Sequence, residues 1–388
     1  MASTAEQAPV GISATELKRL FDSGERFVLV DTRDRESFES WRLADARQYL
    51  YKPHHEFDCE AFEAETGIGS EESVVTICAK GKSSRALAEE LAAAGYDDVR
   101  YVEDGMRAWS AVYDAVDIDA GGDADIVQIQ RRAKGCLGYL VADPEAGVAA
   151  AVDPTRHTDE FVAAAAERGW QIERVLDTHI HADHISGGRQ LADELSVPYH
   201  LGERVSDRDV GVDYEPLARN EVVTVGDVDL KAVFTPGHTS GMASYLVDEN
   251  ALLTGDTVFV DSVGRTELQF GAADADTGAK LLYESLHGTI LAEPDSVTVL
   301  PGHFHVGDDG SYGIDPGTPA ATTVAKLRTE LPVLELDRAS FVATVRDAAP
   351  EKPPNYERII AINRGRASPD DEVEAIELEL GPNRCAAE

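Results

Sequence analysis

The chain has 388 residues, enough for two to three domains at roughly 150 residues each, and sets 35 basic against 72 acidic side chains for a net charge of −37. Hydrophobic residues make up 43 %, so packed cores are within reach and a disordered acidic chain is excluded. So is a nucleic-acid binder that works by neutralising phosphates. No apolar run approaches the roughly eighteen residues of a membrane span. The start lacks the basic and apolar regions of a secretory signal, which predicts a cytoplasmic protein. Only nine of the basic residues are Lys and 26 are Arg, and the acid is spread over both halves of the chain. Such a surface suits concentrated salt, where screening mutes self-repulsion, and predicts a salt-adapted organism.

Residues 12–116 read as alternating helix and strand. Thr15–Phe21 has an amphipathic helical pattern, Phe27–Val30 and Ser73–Cys78 are apolar strands, and Ser84–Ala94 is a helical run stopped by Gly95. That alternation predicts a parallel sheet covered by helices on both faces, an α/β/α domain. Residues 117–125, charged and carrying two glycines, read as a linker.

Residues 126–366 read as a second, larger α/β domain. Strand-like runs at 126–131, 138–141, 148–152 and 172–177 are followed by others at 221–225, 230–234, 243–247, 251–253 and 296–300, with a helix at 159–168. Residues 367–388 read as an acidic tail in which Val373–Leu380 forms an edge strand or stays loose.

The strongest chemical signal is THIHADH, Thr178 to His184, lying between a strand and a helix. It sets His179, His181, Asp183 and His184 on one loop. Three further candidates follow apolar strands, each directly after a glycine: His238 in TPGHTSG, Asp256 in LLTGDT and His303 in LPGHFH. Strand ends would gather all seven at one rim. Mixed imidazole and carboxylate suits zinc, iron or manganese better than calcium. The other histidines, His54, His55, His157, His200 and His287, have no such setting and read as surface or packing residues.

These motifs resemble the metallo-β-lactamase superfamily, which implies an αβ/βα sandwich with metal held at the cleft between its sheets. The stretch GDTVFVDSVGRTELQFG (Gly255 to Gly271) and the later EKPPNYERIIAINRG (Glu351 to Gly365) resemble its persulfide dioxygenase branch. That resemblance implies one Fe(II) per chain on His179, His238 and Asp256, with His181, Asp183, His184 and His303 as outer groups or a second metal site. It further implies O2 and a small thiol persulfide as substrates, sulfite and thiol as products, and Arg265 as the clamp for the thiol's carboxylate. PGHFH departs from the branch, since Phe304 and His305 stand where it has an Asp-Tyr pair that helps to bind glutathione. One alternative is a zinc enzyme of the glyoxalase II type, a thioester hydrolase. It would use one or two ions: His179, His181 and His238 on one, Asp183, His184 and His303 on the other, and Asp256 between. A non-catalytic sulfur carrier or sensor is the other.

Four cysteines in so long a chain form no disulfide framework, and no CxxC pair exists. Cys78 ends an apolar strand and opens CAKGKSSRALAEEL, a short loop running into a helix. Backbone N–H groups, the helix start and the charges of Lys80, Lys82 and Arg85 would all favour a thiolate, or a persulfide anion, at Cys78. VLVDTRDRESFE, this loop and AGYDDVRYVEDGMRAW resemble a rhodanese domain, which implies a catalytic Cys78 persulfide exchanging sulfur with a donor or acceptor. Cys59, Cys136 and Cys385 read as inert.

Overall fold

A computed structural model describes residues 8–348 and 352–387. The first sheet holds β1 (Val10–Ile12), β2 (Val28–Asp31), β3 (Arg47–Gln48), β4 (Val74–Ile77) and β5 (Val99–Val102), all parallel, in the order β1-β5-β4-β2-β3. Strand β4 is apolar but for Thr76 and buried throughout, the pattern of a parallel strand covered on both sides. One face packs on helix Ala14–Ser23 and Trp109 through Leu17 and Leu20; the other packs on Phe62, Leu87 and Leu91. Ser13 caps the first of these helices by accepting from the Glu16 N–H at 3.1 Å. This is the α/β/α domain expected.

The second domain has two facing sheets. One runs β12-β11-β10-β9-β8-β7-β6, built from β6 (Tyr113–Ile118), β7 (Asp125–Arg131), β8 (Cys136–Asp143), β9 (Val148–Val152), β10 (Gln171–Leu176), β11 (Tyr199–Gly202) and β12 (Glu215–Leu217). The other runs β13-β14-β15-β16-β18-β19. It holds β13 (Val222–Val225), β14 (Val228–Phe234), β15 (Ala243–Val247) and β16 (Ala251–Gly255), then, after the short β17 (Val263–Gly264), β18 (Thr298–Pro301) and β19 (Thr322–Thr323). Val141, Val152 and Leu176 from the first sheet meet Leu230, Tyr245 and Leu253 from the second in one central core. Outside the first sheet, Phe161 and Leu191 bring in two helices; outside the second, Leu282, Leu327 and Phe341 bring in three more. The layers are αβ/βα. Each such side chain, fully buried, contributes about 1.5–3 kcal/mol relative to exposure.

Two boundaries differ from expectation. Residues 117–125 are no linker: β6 pairs antiparallel with β7 from Tyr113↔Arg131 to Ile118↔Ile126, so the Gly-rich stretch is a hairpin turn. Val116 and Ile118 point into the central core while Asp117 points out, and this alternation was masked by turn-like composition. Nor are residues 367–388 a loose acidic tail. Val373–Leu380 is largely a helix, Glu372–Leu378, capped by Asp371 and burying Ala375 and Leu378 against Ile185 and Ile359. A last strand, β20 (Ala386–Ala387), pairs with β17. Glu379 between them is fully buried, bound by Arg131, Arg156 and the Ile185 N–H.

The two domains touch closely. Arg132 reaches Asp22 of the first helix at 2.7 Å and Asp114 of β6 at 2.9 Å, and the Arg42 N–H donates to the Asp308 carbonyl at 3.0 Å. Among the described residues no helix is long and apolar enough to cross a membrane.

Candidate metal centre and cysteine loop

The loop carrying His179 to His184 leaves the end of β10 and is pinned at both sides. The Thr178 N–H donates to Asp153 at 2.6 Å, and the Thr178 carbonyl accepts from the Ala243 N–H at 2.9 Å. His238 follows β14, Asp256 follows β16 and His303 follows β18, so strand ends do gather the seven residues at one rim. Gly255 has φ +48, and a Cβ there would lie 2.5 Å from the Thr178 hydroxyl; only glycine lets β16 turn this close to the histidine loop.

Two ligand groups stand side by side. His179, His238 and Asp256 form one, and Asp183, His184, His303 and Cys136 the other. They are joined by Asp256, whose Oδ1 lies 2.8 Å from His303 Nδ1, while His303 Nε2 lies 3.0 Å from Asp183. His181 lies between His179 and His184, its ring tilted to both with centroids 4.2 and 4.3 Å away. Its Nε2 comes within 3.3 Å of Asp153 without hydrogen-bond alignment.

The polar atoms left over are informative. His179 Nε2, His184 Nε2, both ring nitrogens of His181 and Asp256 Oδ2 are buried with no hydrogen-bond partner. Stranding this many polar atoms in one place is costly, and a cation is what lone pairs of this kind would satisfy. The outer nitrogens are already oriented: His238 Nδ1 on the Arg265 carbonyl at 2.7 Å and His179 Nδ1 on Thr178 at 2.9 Å. The seven residues therefore fit metal ions.

Electrostatics separates the two groups, lowering His179 and His238 in the first and raising His184 and His303 in the second, where the rings must give up a proton to bind metal. Burial, with His181 alongside, pushes His179 well below its ordinary value, and burial also lowers His238, so both stay neutral as ligands must. Burial opposes the ionised form of Asp256, but His303, His238 and His179 outweigh it and hold the carboxylate far down. Burial also works against the His184 cation, yet Cys136 and Asp183 win and lift it to about 9.

Several neighbours escaped the sequence reading. Cys136, expected to be inert, has its sulfur 3.3 Å from Asp183 and 3.5 Å from His184. Cys385, expected on a loose tail, is fully buried beside Asp256 and His303. Asp153 and Asp177 face His181, and each directly follows a strand, the same strand-end signal that located Asp256. Asn363 donates to the His181 and His184 carbonyls at 2.9 and 2.8 Å, so the C-terminal extension braces the histidine loop. Arg265 is corrected: it is buried in an ion pair with Glu267 and donates to the Arg384 carbonyl at 2.6 Å, a position that ties down the chain end and not one open to a substrate carboxylate.

Cys78 directly follows β4 and is almost wholly buried, with the Ser84 hydroxyl donating to its sulfur at 3.3 Å. Helix Lys82–Ala93 starts directly behind it at Gly81. The Met106 N–H donates to the Cys78 carbonyl at 2.8 Å, and a Cβ on Gly105 (φ +56) would overlap that carbonyl at 1.8 Å, so the loop is clamped from the far side. A cavity of about 290 Å³ over the loop is lined by Cys78, Lys80, Lys82 and Thr32. Arg85 is not part of it; it is exposed and pairs with Glu89 at 2.9 Å.

Residues 13–112 match the rhodanese-like domain and residues 114–303 the metallo-beta-lactamase superfamily. The hydroxyacylglutathione hydrolase of Rhodopseudomonas palustris is 31 % identical over 49 % of this chain and 71 % of its own. That of Polaromonas sp. is 29 % identical over 56 % and 88 %. Among solved structures, a metallo-beta-lactamase from Staphylococcus aureus superposes with TM-score 0.57 at 25 % identity, covering 64 % of this chain and 74 % of that one. ETHE1 from Myxococcus xanthus superposes at 0.53 and 24 % identity, covering 62 % and 99 %, a likeness of fold alone. The expectation of a persulfide dioxygenase is overturned by the two hydroxyacylglutathione hydrolases, which carry the name of the hydrolase alternative. The run after Asp256 that suggested the dioxygenase serves to seat Arg265 against the C-terminal strand.

Proposed function

The chain belongs to the metallo-beta-lactamase superfamily and carries a rhodanese-like domain ahead of it, and from that premise we propose a metal-dependent thioester hydrolase. The observation that carries the reading is the pair of adjoining ligand groups joined through Asp256 and His303, enough for two ions. His179, His181 and His238 would hold one ion, Asp183, His184 and His303 the other, and Asp256 both; zinc suits the donor set. Bound there, such ions acidify water and polarise a carbonyl, which is the chemistry of thioester cleavage.

The chain's own residues do the remaining work. Thr178 and the Arg265 carbonyl fix the rings of His179 and His238, Asn363 holds the histidine loop, and Asp256 keeps its charge through the imidazoles around it. His303 opens onto a cavity of about 250 Å³ whose wall includes Phe259, His305 and Arg384, room for a small acyl-thioester. Metal-replete protein is expected to hold two zinc equivalents and to release thiol from an acyl-thioester. One equivalent or none, with no thiol release, would overturn the reading.

The first domain supports a second activity, sulfur transfer at Cys78. The sulfur lies at the end of a clamped loop, directly before a helix start and beneath a cavity lined by two lysines. The surface charge of −37 supports operation in concentrated salt.

A further inference from the structure

The two-ion arrangement leaves one member of the second ligand group without a task, Cys136. It opens β8, a strand that supplies none of the seven motif residues. Its sulfur, the Asp183 carboxylate and one ring nitrogen each of His184 and His303 lie within 4.8 Å of one another, and all four side chains are buried. Sγ stands 3.3 Å from Asp183 Oδ2 and 3.5 Å from His184 Nδ1, and His303 Nε2 stands 3.0 Å from the same Asp183 oxygen. Four donors held tetrahedrally on one zinc ion, at its usual bond lengths to sulfur, nitrogen and oxygen, are about 3.3–3.6 Å apart. The cluster has the dimensions of a coordination shell.

The backbone holds the sulfur there. Cys136 forms an antiparallel bridge with His303, flanked by the Leu137 N–H on the Gly302 carbonyl at 2.8 Å and the Phe304 N–H on the Gly135 carbonyl at 3.0 Å. The bridge ties the start of β8 to the turn after β18, so thiol and imidazole leave adjoining stretches of backbone. Gly135 permits the approach: its φ is +80, and a Cβ there would run into the Phe304 carbonyl. Asn383 closes the bridge from the chain end, its side chain donating to the Lys134 carbonyl at 2.7 Å and to the Phe304 carbonyl at 3.2 Å. In sequence, Gly135-Cys136 repeats the order of Gly237-His238, Gly255-Asp256 and Gly302-His303, a glycine and then a donor. Cys385 differs on both counts: it follows Arg384, and it groups with Asp256 and His303 without Asp183 or His184.

We propose that Cys136 is a fourth protein ligand of the second position, bound as thiolate, and makes that position selective for soft divalent ions such as zinc and cadmium. The proposal rests on the two-ion reading for the neighbouring ion but not for the thiolate itself. On binding, the S–H bond breaks, a sulfur–metal bond forms and the proton leaves to water, because a coordinating thiol is deprotonated outright. The first group offers nitrogen and oxygen alone, which zinc, iron and manganese all accept; sulfur turns the second toward softer ions. The two positions are therefore unequal in the metals they keep.

The test titrates metal-free full-length protein with cobalt(II) and follows absorption. Wild type is expected to take two equivalents and to develop a sulfur-to-cobalt charge-transfer band with one of them. Cys136→Ser, a change of one atom, is expected to abolish the band, and Cys385→Ser to leave it. The preference of the second position for cadmium over manganese, measured by competition, should fall about a hundredfold in Cys136→Ser. Cadmium NMR of wild type, which needs no variant to fold, should show one resonance moved downfield by a sulfur donor and one set by nitrogen and oxygen alone. A band that survives Cys136→Ser or vanishes in Cys385→Ser overturns Cys136 as the ligand. So do two bound equivalents with neither the band nor the downfield resonance, which leave the two-ion reading intact. One equivalent whose band is lost in Cys136→Ser overturns the two-ion reading and keeps the thiolate ligand.

Discussion

The two chemical regions are built in opposite ways. The cysteine site is mainly one continuous piece of chain, from β4 through the loop to helix Lys82–Ala93, held from elsewhere by Thr32 and by Gly105 to Arg107. The metal rim takes its side chains from five separated stretches, and a sixth, the C-terminal extension, holds them in place. A local site can be changed without disturbing the fold around it. A rim assembled from distant segments ties its chemistry to the packing of the whole second domain, and that difference can be probed one residue at a time.

The largest effect separates the regions outright. Asp256→Ala removes the carboxylate that joins both ligand groups and is expected to lower thioester cleavage about a thousandfold or more, with thiosulfate loading of Cys78 unchanged. Cys78→Ser should do the reverse. Loss of both activities in either variant, read by paired assays on one preparation, would show that the regions are not independent.

Next comes the buried Glu379, which binds the chain end to Arg131 and Arg156. Burial opposes its ionisation, but the two guanidiniums outweigh that cost and bring its carboxyl down to about 2 from an ordinary 4.5. A folded value below the unfolded one stabilises fully above about pH 4.5, and the contribution is lost as pH falls toward 2. It amounts to about 3 kcal/mol. Glu379→Gln should therefore destabilise near neutral pH by about 3–5 kcal/mol, leaving Arg131 buried and underpaired. Its denaturation midpoint should approach that of wild type as the pH is lowered through this window. Parallel curves for the two proteins would contradict the assignment.

A smaller effect is expected from Asn363→Ala. Loss of its bonds to the His181 and His184 carbonyls should weaken metal binding about 10- to 100-fold, read by chelator competition, without changing Cys78. Smallest is Arg85→Ala. Its pair with Glu89 is exposed and screened by solvent, and it stands outside the Cys78 cavity, so sulfur loading should change less than twofold.

The same local-versus-distant contrast explains what could be read in advance. His179, His181, Asp183, His184, His238, Asp256 and His303 were legible because each follows a strand in a motif short enough to see. Cys78 was legible for the same reason. Cys136, Asn363, Glu379 and Cys385 carry no local mark. Cys136 reaches the rim through the pairing of β8, and Cys385 through a strand pairing with β17 more than a hundred residues earlier in the chain. The acidic spacing of Val373–Leu380 suggested an edge strand, but burial of Ala375 and Leu378 on one side selects a helix. Arg265 misled because its motif was visible and its partner, the chain end, was not.

The central claim is that the rim cleaves thioesters hydrolytically, which calls for water and not oxygen. The most direct measurement is thiol release from an acyl-thioester by zinc-replete full-length protein, with and without oxygen. The account predicts equal rates under both conditions and loss of the activity in Asp256→Ala. An inert thioester, alongside oxygen uptake with a thiol persulfide, would contradict it.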